Sequence, residues 1–301
     1  MAVYHARAAT GATKSIRGRR ALAGQAHRSN YIEHRGSLPR RAPEEGFVED
    51  QNIKTQNRYG DDLEGLRRGA DDLVRLNVSV IVAGGTPATL AAKRATTNIP
   101  IVGANMADPV ADGLVASLAH PGGNTTGTTF LRPQLQPKRL QLLREIVPGA
   151  RRIAALRHPA GYGEATMRNM LASIEEAANA SRLALKVVSA NGPEDFDSAF
   201  KAITAAPADA LIILPSPMFY VNYRRLVDLA ERSRLPTVYV FKEAVEGAGL
   251  MSYGPDISDL ARLACKSVAK ILNGAKPSEL PVEQPVKFEL AINVKTAKCS
   301  A

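Results

Sequence analysis

From Gly46 onward, short branched apolar runs alternate with longer segments in which apolar positions recur every three or four residues. Residues 61–76 place Leu63, Leu66, Ala70, Leu73 and Val74 on one face of a helix. Residues 78–83 are a β-branched run, which predicts a buried strand, and Thr86-Pro87 opens a helix running to residue 96. A strand over 99–103, a helix opened by Asp108-Pro109 and running to 118, and a strand over 125–130 complete the first half. Then come helix 136–147, strand 152–156, helix 164–181, strand 184–188, helix 194–206, strand 210–214, helix 220–233 and strand 237–241. A long helix over 256–273 ends at Asn273-Gly274, a good C-cap, and 287–294 is the last strand.

Strands that are apolar throughout, set between amphipathic helices, predict parallel sheets with helices on both faces. The pattern is long enough for two α/β lobes, with Arg132-Pro133 and Gln136-Pro137 as the expected crossover. In such sheets ligands bind beyond the carboxyl ends of the strands, which selects the loops that matter.

The first is Ala83-Gly84-Gly85-Thr86-Pro87-Ala88. Its glycines permit close backbone approach, and the free N–H groups at the helix start suit an anion. An ordinary capped helix is the equal alternative. It is not a P-loop, because no Lys-Ser/Thr follows, and the chain has no GxGxxG. At 105–109, Asp108 is either the N-cap of the next helix or a cleft carboxylate for a ligand ammonium or hydroxyl. The third loop, His120–Gly127 (HPGGNTTG), offers hydroxyl and backbone groups from Thr125, Thr126 and Gly127, or simply connects. The second half offers Arg157-His158-Pro159, Ser216-Pro217 and Lys242-Glu243 at strand ends, with His158 expected in a surface loop. Phe219, Tyr220, Tyr223, Tyr239, Phe241 and Tyr253 are six of only fifteen aromatics, so they are either stacking walls or lobe core.

Catalytic patterns are missing. There is no GxSxG elbow, and the paired acids Asp61-Asp62, Asp71-Asp72 and Glu175-Glu176 fall on expected helix faces. Two cysteines without CxxC exclude a disulfide framework or cysteine metal site, and five scattered histidines give no metal spacing. No metal or other cofactor is expected. No apolar run approaches the ~20 residues that span a bilayer.

The net charge of +10 is concentrated at the start of the chain. Residues 1–46 hold nine basic and three acidic side chains, while the rest is close to balance. Residues 1–32 carry no Asp or Glu and no helical periodicity, so 1–45 reads as a disordered basic tail. An Arg-rich targeting segment and a nucleic-acid arm are the alternatives. It lacks the apolar stretch of a secretory signal and the small core of a helix-turn-helix.

Six segments, in order, resemble one family: "GFVEDQNI", "VSVIVAGGTPATLAAKRATTNIPIV", "DPVADGLVASLAHPGGNTTGTTF", "KRLQLLREIVP", "GAGLMSYGPDISDLAR" and "ILNGAKPSELPVEQPVKFELAINVKTAK". Together they run from residue 46 to 298 and are similar to ABC-transporter substrate-binding proteins related to tryptophan- and tyrosine-binding components. The resemblance implies a periplasmic-binding-protein-like I fold of two Rossmann-like lobes. Residues 46–129 and 252–275 would form the N-terminal lobe, and 130–251 and 276–298 the C-terminal lobe. It implies a non-enzymatic, monomeric, periplasmic protein that captures an amino acid or aromatic compound between its lobes. Hinge closure would then present the lobes to a membrane permease, with no nucleic-acid partner. Carried over residue by residue, Thr86, Pro87, Ala88, Asp108, Thr126 and Gly127 would contact the ligand from one lobe. Ser216 and Phe241 would face them from the other.

The chain departs from the family pattern at both ends. Residues 1–45 resemble neither the family's signal nor its first strand and helix, so the N-terminal lobe is expected to lack both and expose an edge at 78–83. Retention in the cytoplasm and a degraded copy follow as alternatives, as does a ligand-sensing regulator whose basic tail contacts DNA. The family's closing helix is also expected to be absent after Lys298, and Arg157-His158 stands where an Asn-Pro-like loop is expected.

Overall fold

The computed structural model describes residues 2–6, 46–47, 51–60, 62–130, 135–206 and 208–300, with backbone alone for 2–6 and 298–300. Two sheets organise the chain. The first joins β1 (Ala2–Ala6), β2 (Arg58–Tyr59), β3 (Val80–Gly84), β4 (Ile101–Met106) and β5 (Thr125–Thr129) in the order β2-β1-β3-β4-β5. Strands β3, β4 and β5 are parallel. Along β3 the apolar residues alternate faces. Ile81 and Ala83 pack under α1 (Leu63–Arg75) and α2 (Thr86–Ala95), while Val80 and Val82 pack under α9 (Ile257–Leu272). A strand covered on both sides needs an unbroken apolar run, which is the pattern the chain shows there. Asp62 caps α1, accepting from Gly65 N at 2.7 Å.

The second sheet joins β6 (Arg152–Arg157), β7 (Ala184–Ser189), β8 (Ala210–Ile213), β9 (Thr237–Tyr239), β10 (Met251–Pro255) and β11 (Phe288–Ile292) in the order β11-β10-β9-β8-β6-β7. Only β11 is antiparallel. One face carries α3 (Leu135–Ile146) and α4 (Glu164–Ala180), and the other α5 (Phe196–Ala205), α6 (Pro217–Val221) and α7 (Tyr223–Arg232). Helices α8 (Lys242–Glu246) and α10 (Val294–Ser300) complete the elements. The two lobes share core at their junction, where Ala107 and Phe130 from the first lobe and Leu260 of α9 join the cluster under α3 and α4.

Several expectations are corrected. The lobe edge expected to lie open beside 78–83 is occupied, because β1 pairs antiparallel with β3 in register Val3↔Ala83 to Ala6↔Val80. Residues 2–6 thus leave the expected tail, whose remainder lies outside the described residues. The physical reason is that β3 presents a ladder of unpaired backbone groups, and Val3 and Tyr4 are good strand formers. The expected helix over 108–118 is a series of turns, since Gly113 adopts φ +68°, where a right-handed helix cannot continue. The expected helix 220–233 splits at Asn222 into α6 and α7. Gln136-Pro137, expected in the crossover, already lies in α3, whose first turn tolerates proline. Residues 252–255 pair in the second sheet, while Leu280 and Glu283 bond the first, so the joints expected at 252 and 276 shift.

Candidate functional site

The carboxyl ends of the parallel strands of both lobes face a common cleft. A cavity of about 620 Å³ lies in it. One wall is Gly60, Asp62, Leu63, Glu64, Leu66 and Pro87 of the first lobe. The other is built from the second-lobe loops that follow β6, β7 and β8: His158, Ala160, Gly161, Asn191 and Pro193, with Pro217, Met218, Val221 and Asn222. A smaller recess of about 30 Å³ opens on the second lobe between Ser216, Tyr220, Tyr223, Phe241 and Glu243.

Aromatic rings continue from that recess to the lobe junction. Tyr220 meets Phe241 edge-on at 5.1 Å, and Phe241 meets Phe130 at 6.1 Å. Phe130 in turn meets Tyr162 at 6.3 Å. Tyr220 Oη donates to Glu243 Oε1 at 3.2 Å. Rings from both lobes therefore meet where the chain crosses between them.

His158 is half-buried on the cleft wall rather than in a surface loop. Its Nδ1 lies 2.9 Å from Ser216 Oγ. That oxygen already accepts from Met218 N (3.1 Å) and Phe219 N (3.5 Å), so its own proton goes to Nδ1. The network assigns the neutral Nε2–H tautomer to His158. Burial pushes its pKa below the usual histidine value, against a backbone hydrogen bond at Asn191 that raises it.

A second set of contacts bridges the lobes. Helix α4 has no capping side chain of its own, because its N-cap is Gly163. Asp112, from the first lobe, supplies the acceptor: Thr166 N donates to its Oδ1 at 3.3 Å. Thr166 Oγ1 also donates to the Asp108 carbonyl at 3.4 Å. Burial pushes the Asp112 carboxyl above the ordinary range, opposed by its bonds to Thr166 and Gly163, and the Asp108 charge adds to the rise.

The expected site residues divide. Pro87 lines the large cavity, and Ser216 and Phe241 line the smaller recess. The others serve the first lobe's own fabric. Thr86 Oγ1 accepts from Ala107 N at 2.9 Å, and Ala88 is fully buried beneath α1. Asp108 Oδ1 accepts from Ala111 N at 3.0 Å. Thr126 Oγ1 donates to the Leu280 carbonyl at 2.7 Å, and the Gly127 carbonyl accepts from Glu283 N. Gly127 has φ +138°, and a Cβ there would sit 2.0 Å from Gly103 O, so only glycine fits this close strand pairing. Lys242, at another strand end, is committed to Asp256 (2.8 Å) and Glu289 (3.2 Å), which raise its pKa.

Residues passed over by sequence reasoning are Asn191, Asn222, Met218 and Val221 on the cavity wall and Asp112, Gly163 and Thr166 across the lobes. The turn Asn191-Gly192-Pro193 after a strand was a readable signal for the first. Nothing local marks Asp112, whose partner is 54 residues away.

A profile described as ABC transporter substrate binding protein matches residues 42–300. The Tyrosine-binding protein of Clostridioides difficile (strain R20291) is 25% identical over 264 residues, covering 85% of this chain and 72% of that protein. Among solved structures, a conserved domain protein from Vibrio cholerae superposes with a TM-score of 0.79 at 25% identity, covering 87% of each chain. The ABC domain from a streptococcus (Streptococcus pneumonia), in complex with L-Trp, superposes with a TM-score of 0.77 at 23% identity, covering 91% of each. With the two-sheet architecture and a match across most of its length, the chain belongs to the ABC transporter substrate-binding protein family.

Proposed function

We propose that this chain captures a small molecule, an amino acid or an aromatic compound, between its lobes and delivers it to an ABC permease. The observation that carries this reading is the cavity of about 620 Å³ walled by both lobes. Its size suits a small ligand, since such pockets run to roughly 300–1,000 Å³. Its walls combine apolar side chains, such as Met218 and Val221, with a few polar ones, such as His158 and Asn222. The ring series Tyr220–Phe241–Phe130–Tyr162 offers edges and faces for an aromatic side chain. A tyrosine-binding relative and the structural likeness to an L-Trp complex favour the same ligand class.

The family is a substrate-binding one, not an enzyme class. For this chain a purely binding role is favoured by the fate of Ser216. Its oxygen accepts the N–H groups of its own helix, and no carboxylate among the described residues orients His158. Family members bind small ligands, engage ABC permeases and are typically extracytoplasmic. No described helix is long and apolar enough to cross a membrane. A periplasmic, monomeric protein whose closed lobes face the permease follows from this reading. We place the first lobe at 46–130 and 256–283 and the second at 135–255 and 288–298.

Isothermal titration calorimetry of the full chain against L-tyrosine, L-tryptophan and the other amino acids tests the reading. Saturable binding that weakens at least tenfold in Tyr220→Ala is the expected result. An aromatic ring lost from a ligand wall contributes about 1–3 kcal/mol. Failure of every probe to bind would overturn this ligand class.

A further inference from the structure

The chain buries a cation that no described residue neutralises. Arg139 on α3 is 0% exposed. Its Nε donates to the Tyr253 carbonyl at 2.7 Å, yet both terminal nitrogens lack any hydrogen-bond partner. One turn earlier, on the same face, Gln136 is 2% exposed with both its amide oxygen and nitrogen unpartnered. The phenols of Tyr162 and Tyr253 are the titratable groups near the guanidinium. Burial lowers its pKa only to about 10, so it stays charged at neutral pH.

An isolated buried charge is among the costliest features a fold can hold, and it calls for a partner that completes it. The position matters as much as the charge. Helix α3 directly precedes β6 and runs antiparallel to it, so its first turns lie at the carboxyl end of the second sheet. Tyr162, near the guanidinium, packs on Phe130 of the first lobe. The unpartnered donors therefore stand beside the junction of the lobes, although neither residue lines either described cavity. Planar guanidinium donors match a carboxylate in pairs, and an adjacent amide N–H adds a further donor.

We infer that Arg139 and Gln136 form an anion position beside the lobe junction, where they take the carboxylate of the transported ligand. The inference rests on the proposed capture of a small molecule between the lobes. It selects, among small molecules, those bearing a carboxylate. The same chemistry would suit a fixed inorganic anion such as chloride, and the test separates the two.

The experiment measures binding and melting of the full chain as wild type and as Arg139→Met, which keeps an unbranched apolar stem and removes the charge. The probes are acetate, chloride, L-tyrosine against tyramine, and L-tryptophan against tryptamine. The expected result is that wild type prefers each amino acid to its decarboxylated amine and is saturably stabilised by acetate. Arg139→Met then loses about 10- to 100-fold in affinity for the carboxylates, the scale of charge-assisted bonds in a dry site. Ligand-free Arg139→Met should melt no lower than wild type, because an uncompensated charge has been removed. Should Arg139→Met not fold, Gln136→Leu takes its place, with a several-fold loss for carboxylates alone.

Carboxylate affinities equal in wild type and variant overturn the inference. So does saturable stabilisation by chloride that Arg139→Met abolishes while carboxylate affinity stays unchanged, which would make this a structural halide site. If both amino acids fail while acetate still distinguishes wild type from Arg139→Met, the anion position stands and the proposed ligand class falls.

Discussion

Helix α4 borrows its N-terminal cap from the opposite lobe, and removing that cap should open the cleft. Asp112→Ala takes away the carboxylate that accepts from Thr166 N and leaves Gly163, which has no side chain, as the only capping residue. Losing a capping carboxylate costs about 1 kcal/mol. The cost falls only on the closed arrangement, because with the lobes apart water already serves the helix end. A 1 kcal/mol penalty changes the closed-to-open ratio about fivefold. Spin labels at the exposed residues Arg94 and Lys201, one in each lobe, report the distance distribution in the ligand-free protein. The variant should gain weight at long distances while its melting temperature changes little. pH gives an independent check. Burial holds the Asp112 carboxyl above its ordinary value of 3.8 when the lobes meet, and in the open state it returns to that value. Closure therefore takes up a proton. It is most favoured below the ordinary value and weakens as pH rises through the elevated one. In that window the wild type should open with rising pH and Asp112→Ala should not respond. Identical distance distributions for wild type and variant would refute the reasoning.

Gly163→Ala should act in the same direction by another route. Its φ of −66° accepts alanine, but the new Cβ would lie 2.1 Å from Asp112 Oδ1, so the same labels should report opening without loss of fold. Gly127→Ala should cost about 2–4 kcal/mol in denaturant unfolding, since its Cβ meets the backbone of β4 at a positive φ. Thr86→Val keeps the shape but strands the Ala107 N–H, and should cost about 1–3 kcal/mol in the same assay. Asp209, held down to about 2 by Arg152 and by the N–H groups of Arg151 and Arg152, stabilises the second lobe above the ordinary Asp range. That contribution is lost as pH falls through about 2. Melting of Asp209→Asn should therefore lie below wild type at pH 6 and converge with it on acidification.

Most of the second lobe could be read from periodicity alone. Residues 152–156 and 210–214 lie within or one residue from observed strands, because burial on both faces demands continuous apolar runs, while 184–188 falls in a partly exposed edge strand. Turn chemistry was less legible. Asp108-Pro109 carries every sign of a helix start, yet Gly113 ends the turn after one bond pattern. Asn222 divides an otherwise periodic segment, and its side chain donates back to the Met218 carbonyl. The strand Ala2–Ala6 was hidden because its pairing depends on a vacant edge 74 to 80 residues away. On the cavity wall, Pro87 belongs to a loop that the ligand rule for strand ends singles out. Thr86 and Thr126 belong to the same loops but point into the first lobe, which spacing cannot reveal. Arg139 reads in sequence as one more surface charge of an amphipathic helix, and only packing against Tyr253 exposes it as buried.

The central claim is that two lobes close on a small carboxylate-bearing molecule. Small-angle scattering of the full chain, titrated with L-tyrosine and L-tryptophan, measures it directly. A radius of gyration that falls saturably, at the same ligand concentration that half-saturates calorimetric binding, is the predicted result. Ligand binding with no change in the scattering profile at saturation would contradict it.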